Sequence, residues 1–152
     1  MPRNKYLLAV ILWMSVIFLF STELFSSSNT SRFLGPALAA LFPSLTADQL
    51  DIFHLLLRKF GHWSEYALLG MLLMHAVSGQ FPLWQKNRQC IYALVIATLY
   101  AASDEWHQSL VPSRSASITD VLIDSFGALC AVIWYGRQQR NADSSRLQPK
   151  KT

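Results

Sequence analysis

The stretch Tyr100–Ala128, "YAASDEWHQSLVPSRSASITDVLIDSFGA", places a cluster of polar side chains between two strongly apolar segments. Its ionisable and amide side chains are Asp104, Glu105, His107, Gln108, Arg114, Asp120 and Asp124. A charged side chain at the centre of a membrane-spanning helix costs roughly 2.5–3.5 kcal/mol, and such residues usually face the inside of a helix bundle. The stretch therefore predicts two helices joined by a short loop, with their polar faces turned inward.

The composition of the whole chain supports a membrane protein of one domain. Of its 152 residues, 52% are hydrophobic and only 14% are charged, whereas a soluble domain has about 25% charged residues. The net charge is +4, but most of the basic residues lie at the chain ends and in one short loop. This placement indicates membrane topology, and we expect no nucleic-acid partner.

Four segments are candidates for membrane spans, each of which needs roughly 20 mostly apolar residues. They are Tyr6–Phe25, His62–Val77, about Cys90–His107 and about Ile118–Gly136. We expect the first to be a retained helix, because no small-x-small cleavage site follows it. The fold class predicted is all-α: a polytopic bundle of four transmembrane helices in a domain of residues 1–136, followed by a basic cytoplasmic tail, residues 137–152.

The segment between the first and second spans predicts a further, interfacial helix. "LTADQLDIFHLLLRKF" carries apolar residues at helical spacing, with Thr46 as a candidate N-cap and Asp48 in the first turn. We expect this amphipathic helix to lie at the membrane surface and to run into the second span, with a bend at Gly61.

The distribution of lysine and arginine predicts the orientation, because basic residues favour the cytoplasmic side. Nine of the thirteen basic residues fall on the side that holds both termini and the loop between the second and third spans. Both termini should therefore be cytoplasmic. The polar cluster then lies at the extracytoplasmic side, at the outer ends of the second, third and fourth spans.

Helical spacing groups the polar residues into stripes that meet at this outer level, since residues three or four apart share a helix face. The three stripes are Lys59, His62 and Tyr66; Tyr100, Asp104 and Gln108; and Asp120, Asp124, Gly127 and Ala131. Gly127 and Ala131 form a small-xxx-small pattern that permits close helix packing. The acidic face of the fourth span should therefore be its packed face.

The residue types at this level suit acid–base chemistry or the binding of a polar group. As catalytic residues we predict His62, Asp104, Glu105 and Asp124. As substrate-binding residues we predict Lys59, Tyr66, Gln108, Arg114 and Asp120, with Arg114 and Lys59 holding a phosphate. The carboxylates Asp104, Glu105, Asp120 and Asp124 could hold a divalent cation, Mg²⁺ or Ca²⁺. Ion pairing with Arg114 and Lys59 is the alternative, and no known metal-binding spacing decides between them.

"KFGHWSEYALLG" followed by the Tyr100–Ala128 stretch resembles the VanZ-like family. That family shows Lys/Arg-x-x-His-x-x-x-Tyr, then Asp-Glu-x-x-Gln, an Arg after a Pro, and Asp-x-x-x-Asp-x-x-Gly. The matching residues are Lys59, His62, Tyr66, Asp104, Glu105, Gln108, Arg114, Asp120, Asp124 and Gly127. The resemblance implies a small integral protein of the bacterial cytoplasmic membrane, in a family whose named member is linked to resistance against glycopeptide antibiotics, notably teicoplanin. It implies no reaction, because the family's biochemical activity is not established.

Several functions fit these observations. The site could act on an envelope lipid or cell-wall precursor head group as an enzyme, or bind that head group without chemistry. Intramembrane acids can also relay protons in a carrier, although four spans are few for a carrier unless the protein forms a homo-oligomer. A purely structural network of buried ion pairs is the remaining alternative.

Overall fold

The computed structural model describes residues 4–23, 26–111 and 116–147. In these ranges the chain forms five α-helices and no strand, which confirms the predicted all-α class. The helices are α1 (Asn4–Phe20), α2 (Ser27–Leu41), α3 (Ala47–Gln80), α4 (Lys86–Ser109) and α5 (Ile118–Leu147).

The long helix α3 joins the predicted amphipathic helix and the second span. It begins with a capping box. The Thr46 hydroxyl accepts a hydrogen bond from the Gln49 backbone N–H, and the Gln49 side-chain oxygen accepts one from the Thr46 backbone N–H. The predicted N-cap is therefore confirmed. The helix runs 34 residues and continues through Gly61. At 1.5 Å per residue it is about 51 Å long, more than the roughly 30 Å of a bilayer's hydrocarbon core.

The helices α3 and α5 pack with their backbones in direct contact. A Cβ atom added to Gly70 would lie 2.8 Å from the Ala128 carbonyl oxygen, and one added to Gly127 would overlap the Trp63 carbonyl. Ala131, one turn beyond Gly127, is buried. The prediction that these small residues form the packed face of the last helix is confirmed, and this contact sets the distance between α3 and α5.

Two long-range hydrogen bonds attach α1 to the other helices. The Tyr100 hydroxyl of α4 donates to the Met14 carbonyl at 2.6 Å, and the Trp13 indole donates to the Glu65 carbonyl of α3 at 2.9 Å. The helix α1 is shorter than predicted, because it ends at Phe20 and leaves Glu23 in a following turn.

The helix α4 turns small and polar residues toward the inside of the bundle, where they pack against a core that includes Leu69, Leu73 and Met74 of α3. Buried positions on α4 are Gln89, Ala93, Ala97, Ala101, Asp104, Glu105 and Gln108. The outer surfaces of α1, α4 and α5 expose large apolar side chains such as Leu8, Leu99 and Leu122. A bundle in water would avoid such a surface, whereas hydrocarbon favours it.

By length and composition, one helix of the described part of the chain is able to cross a membrane: Ile118–Asn141, with a mean hydropathy of 1.5. The helices α3 and α4 fall outside this criterion because acids, histidines and amides interrupt their apolar runs. The four-span arrangement therefore stays a prediction.

Candidate functional site

The polar residues of three helices meet at one end of the bundle. Residues 59–66 lie in the middle of α3, residues 104–108 at the end of α4, and residues 120–124 at the start of α5. The start of α5 lies beside the end of α4, because the Ser117 amide donates to the Glu105 side chain. Because α3 packs against both helices, positions more than 60 residues apart in the sequence come together.

His62 and Asp124 form the centre of this cluster. The His62 Nδ1 atom lies 3.5 Å from Asp124 Oδ1, close enough for an ion pair when the imidazole is protonated. At this distance the contact is longer than an ordinary N–H···O hydrogen bond. Asp124 is 0% exposed, and neither of its carboxylate oxygens has a hydrogen-bond partner in the described ranges.

Glu105 brings a second carboxylate from α4 to the same place. Its Oε2 atom accepts a hydrogen bond of 2.9 Å from the Ser117 amide, which ties the start of α5 to α4. Its buried Oε1 atom has no such partner among the residues that the structure describes. One ligand atom from each of His62, Glu105 and Asp124 lies within 4.8 Å of the others.

Asp104 and Gln108 belong to a separate bridge between α4 and α1. The Gln108 amide donates to Asp104 Oδ2 at 3.1 Å and to the Ser21 hydroxyl at 3.3 Å. Ser21 in turn donates to the Ile17 carbonyl at 3.0 Å. Gln108 is fully buried, so its contacts hold the helix ends together. Ser21 was not predicted as a site residue, and only its place at the outer end of the first span pointed to it.

Lys59 and Asp120 pair with each other at the edge of the cluster. Their Nζ and Oδ1 atoms are 2.8 Å apart. This contact agrees with the structural, ion-pair alternative for these two residues. Arg114, the predicted phosphate ligand, lies outside the described residues.

Tyr66 lies one helical turn beyond His62 and is 0% exposed. Its hydroxyl is buried without a hydrogen-bond partner in the described part of the chain. The hydroxyl interacts electrostatically with the carboxylates of Asp104 and Asp124. We call His62, Glu105 and Asp124 the acidic cluster. Tyr66 adds a fourth polar group beside it.

A cavity of about 240 Å³ borders the acidic cluster. Its walls come from α1, α2 and α3 and consist of Phe20, Ser21, Thr30, Leu34, His54, Leu57, Arg58, Gly61, His62 and Glu65. His62 belongs to both the cavity wall and the cluster. His54 was not among the site residues predicted from the sequence. The spacing of His54, Arg58 and His62, four residues apart, is the signal that would have indicated this shared face.

Comparison with known proteins gives one result. The family model described as VanZ/LLP1 matches residues 6–137, a range that includes every residue of the acidic cluster and of the cavity wall. No curated protein and no solved structure matches the chain.

Proposed function

Because the chain belongs to the VanZ/LLP1 family, which is membrane-associated, we propose that it is a polytopic protein of the bacterial cytoplasmic membrane that binds an envelope lipid or lipid-linked cell-wall precursor. The head group would lie at the extracytoplasmic end of the bundle. The observation that carries this proposal is the direct connection, through His62, between a buried polar cluster and a cavity whose walls carry apolar and basic side chains and one acid, Glu65.

The cavity suits the part of an amphiphile where the apolar chain meets the head group. Phe20, Leu34 and Leu57 supply apolar surface, while Arg58 and His54 supply nitrogen donors. Sites for drug-sized ligands have about 300–1,000 Å³. A cavity of about 240 Å³ therefore has room for a head group or for a few carbons of a chain. The rest of the lipid would lie along the apolar outer surface of the helices.

The charges favour a head group that carries both a phosphate and hydrogen-bond donors. Arg58 can bind a phosphate through two parallel hydrogen bonds. The carboxylates of Glu105 and Asp124 can accept hydrogen bonds from hydroxyl or amino groups, such as those of a sugar. Glycopeptide antibiotics act on cell-wall precursors. Binding of a precursor at this site would therefore give the protein a way to change the susceptibility of the cell to these antibiotics.

Lipid binding is tested with purified protein in nanodiscs. A polyprenyl phosphate is titrated against the protein, with the neutral polyprenol of equal chain length as the comparison. We expect Arg58→Gln to weaken phosphate binding by about tenfold to a hundredfold, because hydrogen bonds to charged groups contribute about 1.5–3 kcal/mol. The matched control is Arg88→Gln, since Arg88 lies over the Trp84 ring outside the cavity. Equal affinity for the alcohol and the phosphate, or no loss in Arg58→Gln, contradicts the proposal.

The proposed orientation is tested by cysteine labelling in intact cells. The two cysteines of the described residues, Cys90 and Cys130, are replaced by serine. Leu110→Cys, at the end of α4 nearest the cluster, should then react with a membrane-impermeant maleimide. Leu83→Cys, in the exposed turn between α3 and α4, should react only after permeabilisation. The reverse pattern would place the site at the cytoplasmic side and overturn the proposed orientation.

A further inference from the structure

The acidic cluster gathers more ligand atoms than its hydrogen bonds use. His62 Nδ1, Glu105 Oε1 and both Asp124 oxygens are buried and have no hydrogen-bond partner among the described residues. More than about 90% of buried polar groups in proteins are hydrogen-bonded, and an unsatisfied one costs about 1–3 kcal/mol. Several such atoms lie close together here, and this arrangement indicates that the cluster binds a ligand.

A second, independent observation points to the same place. The hydroxyl of the fully buried Tyr66 also has no hydrogen-bond partner in the described ranges, and it lies in the electrostatic field of Asp104 and Asp124. A phenol at this position can donate to a carboxylate that has turned toward a bound cation, or to a group bound to that cation.

Among the residues that the structure describes, neither Glu105 nor Asp124 forms an ion pair with a lysine or arginine. Lys59 pairs with Asp120 at 2.8 Å. Glu105 accepts a hydrogen bond from the Ser117 backbone amide. A protonated His62 would balance the charge of Asp124 but would leave the second carboxylate, that of Glu105, without a cation among these three residues.

We propose that His62, Glu105 and Asp124 bind one divalent transition-metal ion, of the zinc or manganese type. The imidazole ligand favours these ions over Mg²⁺ and Ca²⁺, which prefer an all-oxygen environment. Ligand atoms of one tetrahedral zinc ion lie about 3.4 Å apart, given bond lengths of about 2.1 Å. The contact of 3.5 Å between His62 and Asp124 already meets this separation. Glu105 reaches it by a small side-chain rotation, because all three ligand atoms lie within 4.8 Å.

The donor set differs from the one suggested by the sequence, which was composed of carboxylates alone. Asp120 is engaged with Lys59, and Asp104 with the Gln108 amide. Three protein ligands are typical of a zinc site that keeps a coordination position open for water or a ligand. Because His62 also lines the cavity, a head-group oxygen could take that position. This last role rests on the proposed function, whereas the binding of the metal does not.

Metal binding is tested on the full chain in detergent, first dialysed against EDTA and then titrated without added lipid. Calorimetry and elemental analysis should show about one equivalent of Zn²⁺ or Mn²⁺ and no response to Mg²⁺. Asp124→Asn and Glu105→Gln should each weaken Zn²⁺ binding by more than about 100-fold, since loss of an outer-shell partner alone costs 10–100-fold. The matched control, Asp51→Asn at an exposed position of α3, should bind as the unchanged protein does.

A cysteine substitution identifies the ligand directly and does not depend on a loss of binding. In the cysteine-free background, Asp124→Cys should retain Co²⁺ and add a thiolate-to-cobalt charge-transfer band. Asp51→Cys should show no such band. Any one of three results overturns the metal site. They are binding of much less than one equivalent of Zn²⁺, an unchanged Zn²⁺ affinity in Asp124→Asn, and the absence of the charge-transfer band in folded Asp124→Cys.

The two proposals fail separately in these measurements. The metal titration contains no lipid, and the polyprenyl phosphate titration is repeated in EDTA. One equivalent of metal without lipid binding would reject only the proposed function. Arg58-dependent phosphate binding together with no metal bound in the metal titration would reject only the metal site.

Discussion

Replacing Gly127 with leucine is expected to prevent the assembly of the folded bundle. A Cβ atom at this position would overlap the carbonyl of Trp63 and would also lie 3.2 Å from the Ala67 amide nitrogen. Both are backbone atoms of α3, so no side-chain rotation relieves the contact. Overpacking in a core usually costs about 1–3 kcal/mol. Here the two helices must separate, and we expect a cost of about 3 kcal/mol or more, a large part of the usual stability of about 5–15 kcal/mol.

The measurement is the yield of monodisperse protein in detergent together with its thermal unfolding. Gly127→Ala should fall between the unchanged protein and Gly127→Leu, because its single methyl group still meets the Trp63 carbonyl. Gly61→Ala is the matched control in α3, where no atom lies within 4 Å of the added carbon. It should be as stable as the unchanged protein or more stable, since alanine favours a helix over glycine by about 1 kcal/mol. An unchanged unfolding temperature in Gly127→Leu would show that α3 and α5 do not pack in this way.

Replacing Glu105 with glutamine is expected to remove the cellular function while the fold is kept. The glutamine carbonyl oxygen can still accept the hydrogen bond from the Ser117 amide, so the start of α5 stays in place. The substitution removes the ionisable oxygen, which a catalyst needs for proton transfer. Loss of such a group typically lowers the rate by about 10²–10⁴. It also removes the charge of a proposed metal ligand.

The comparison is made in cells through glycopeptide susceptibility and in vitro through phosphate affinity in EDTA. Asp51→Asn, at an exposed position of α3, is the control and should behave as the unchanged protein. We expect Glu105→Gln to lose the phenotype and to keep its metal-free phosphate affinity. If Glu105→Gln keeps the phenotype and Arg58→Gln alone loses it, the protein is a passive head-group binder and neither catalysis nor the metal is required.

Much of the local architecture could be predicted from residue order. The Thr46 cap of α3 follows from a side-chain oxygen placed before an apolar run, and the packed face of α5 follows from Gly127 and Ala131 at helical spacing. The end of α1 was predicted too late, because its apolar run continues to Phe25 whereas the helix ends at Phe20. Hydropathy alone does not show where a helix ends and a turn begins.

The partners of the polar residues were less predictable. Sequence spacing grouped Asp120 with Asp124 and Asp104 with Gln108, and each pair does share a helix face. It could not show that Lys59 pairs with Asp120, or that Gln108 reaches Ser21 in the turn after α1. It also did not identify His54, which lines the cavity with His62.

The amino-acid sequence by itself determined the helical class, the apolar surface and the level at which the polar residues lie, because helical periodicity and apolar length are local properties of the chain. Only the tertiary structure decided which acid meets His62. That choice depends on the rotation and separation of α3, α4 and α5. The backbone contacts of Gly70 with Ala128 and of Gly127 with Trp63 set the rotation and separation of α3 and α5. These contacts join distant parts of the chain, and no short stretch of sequence contains them.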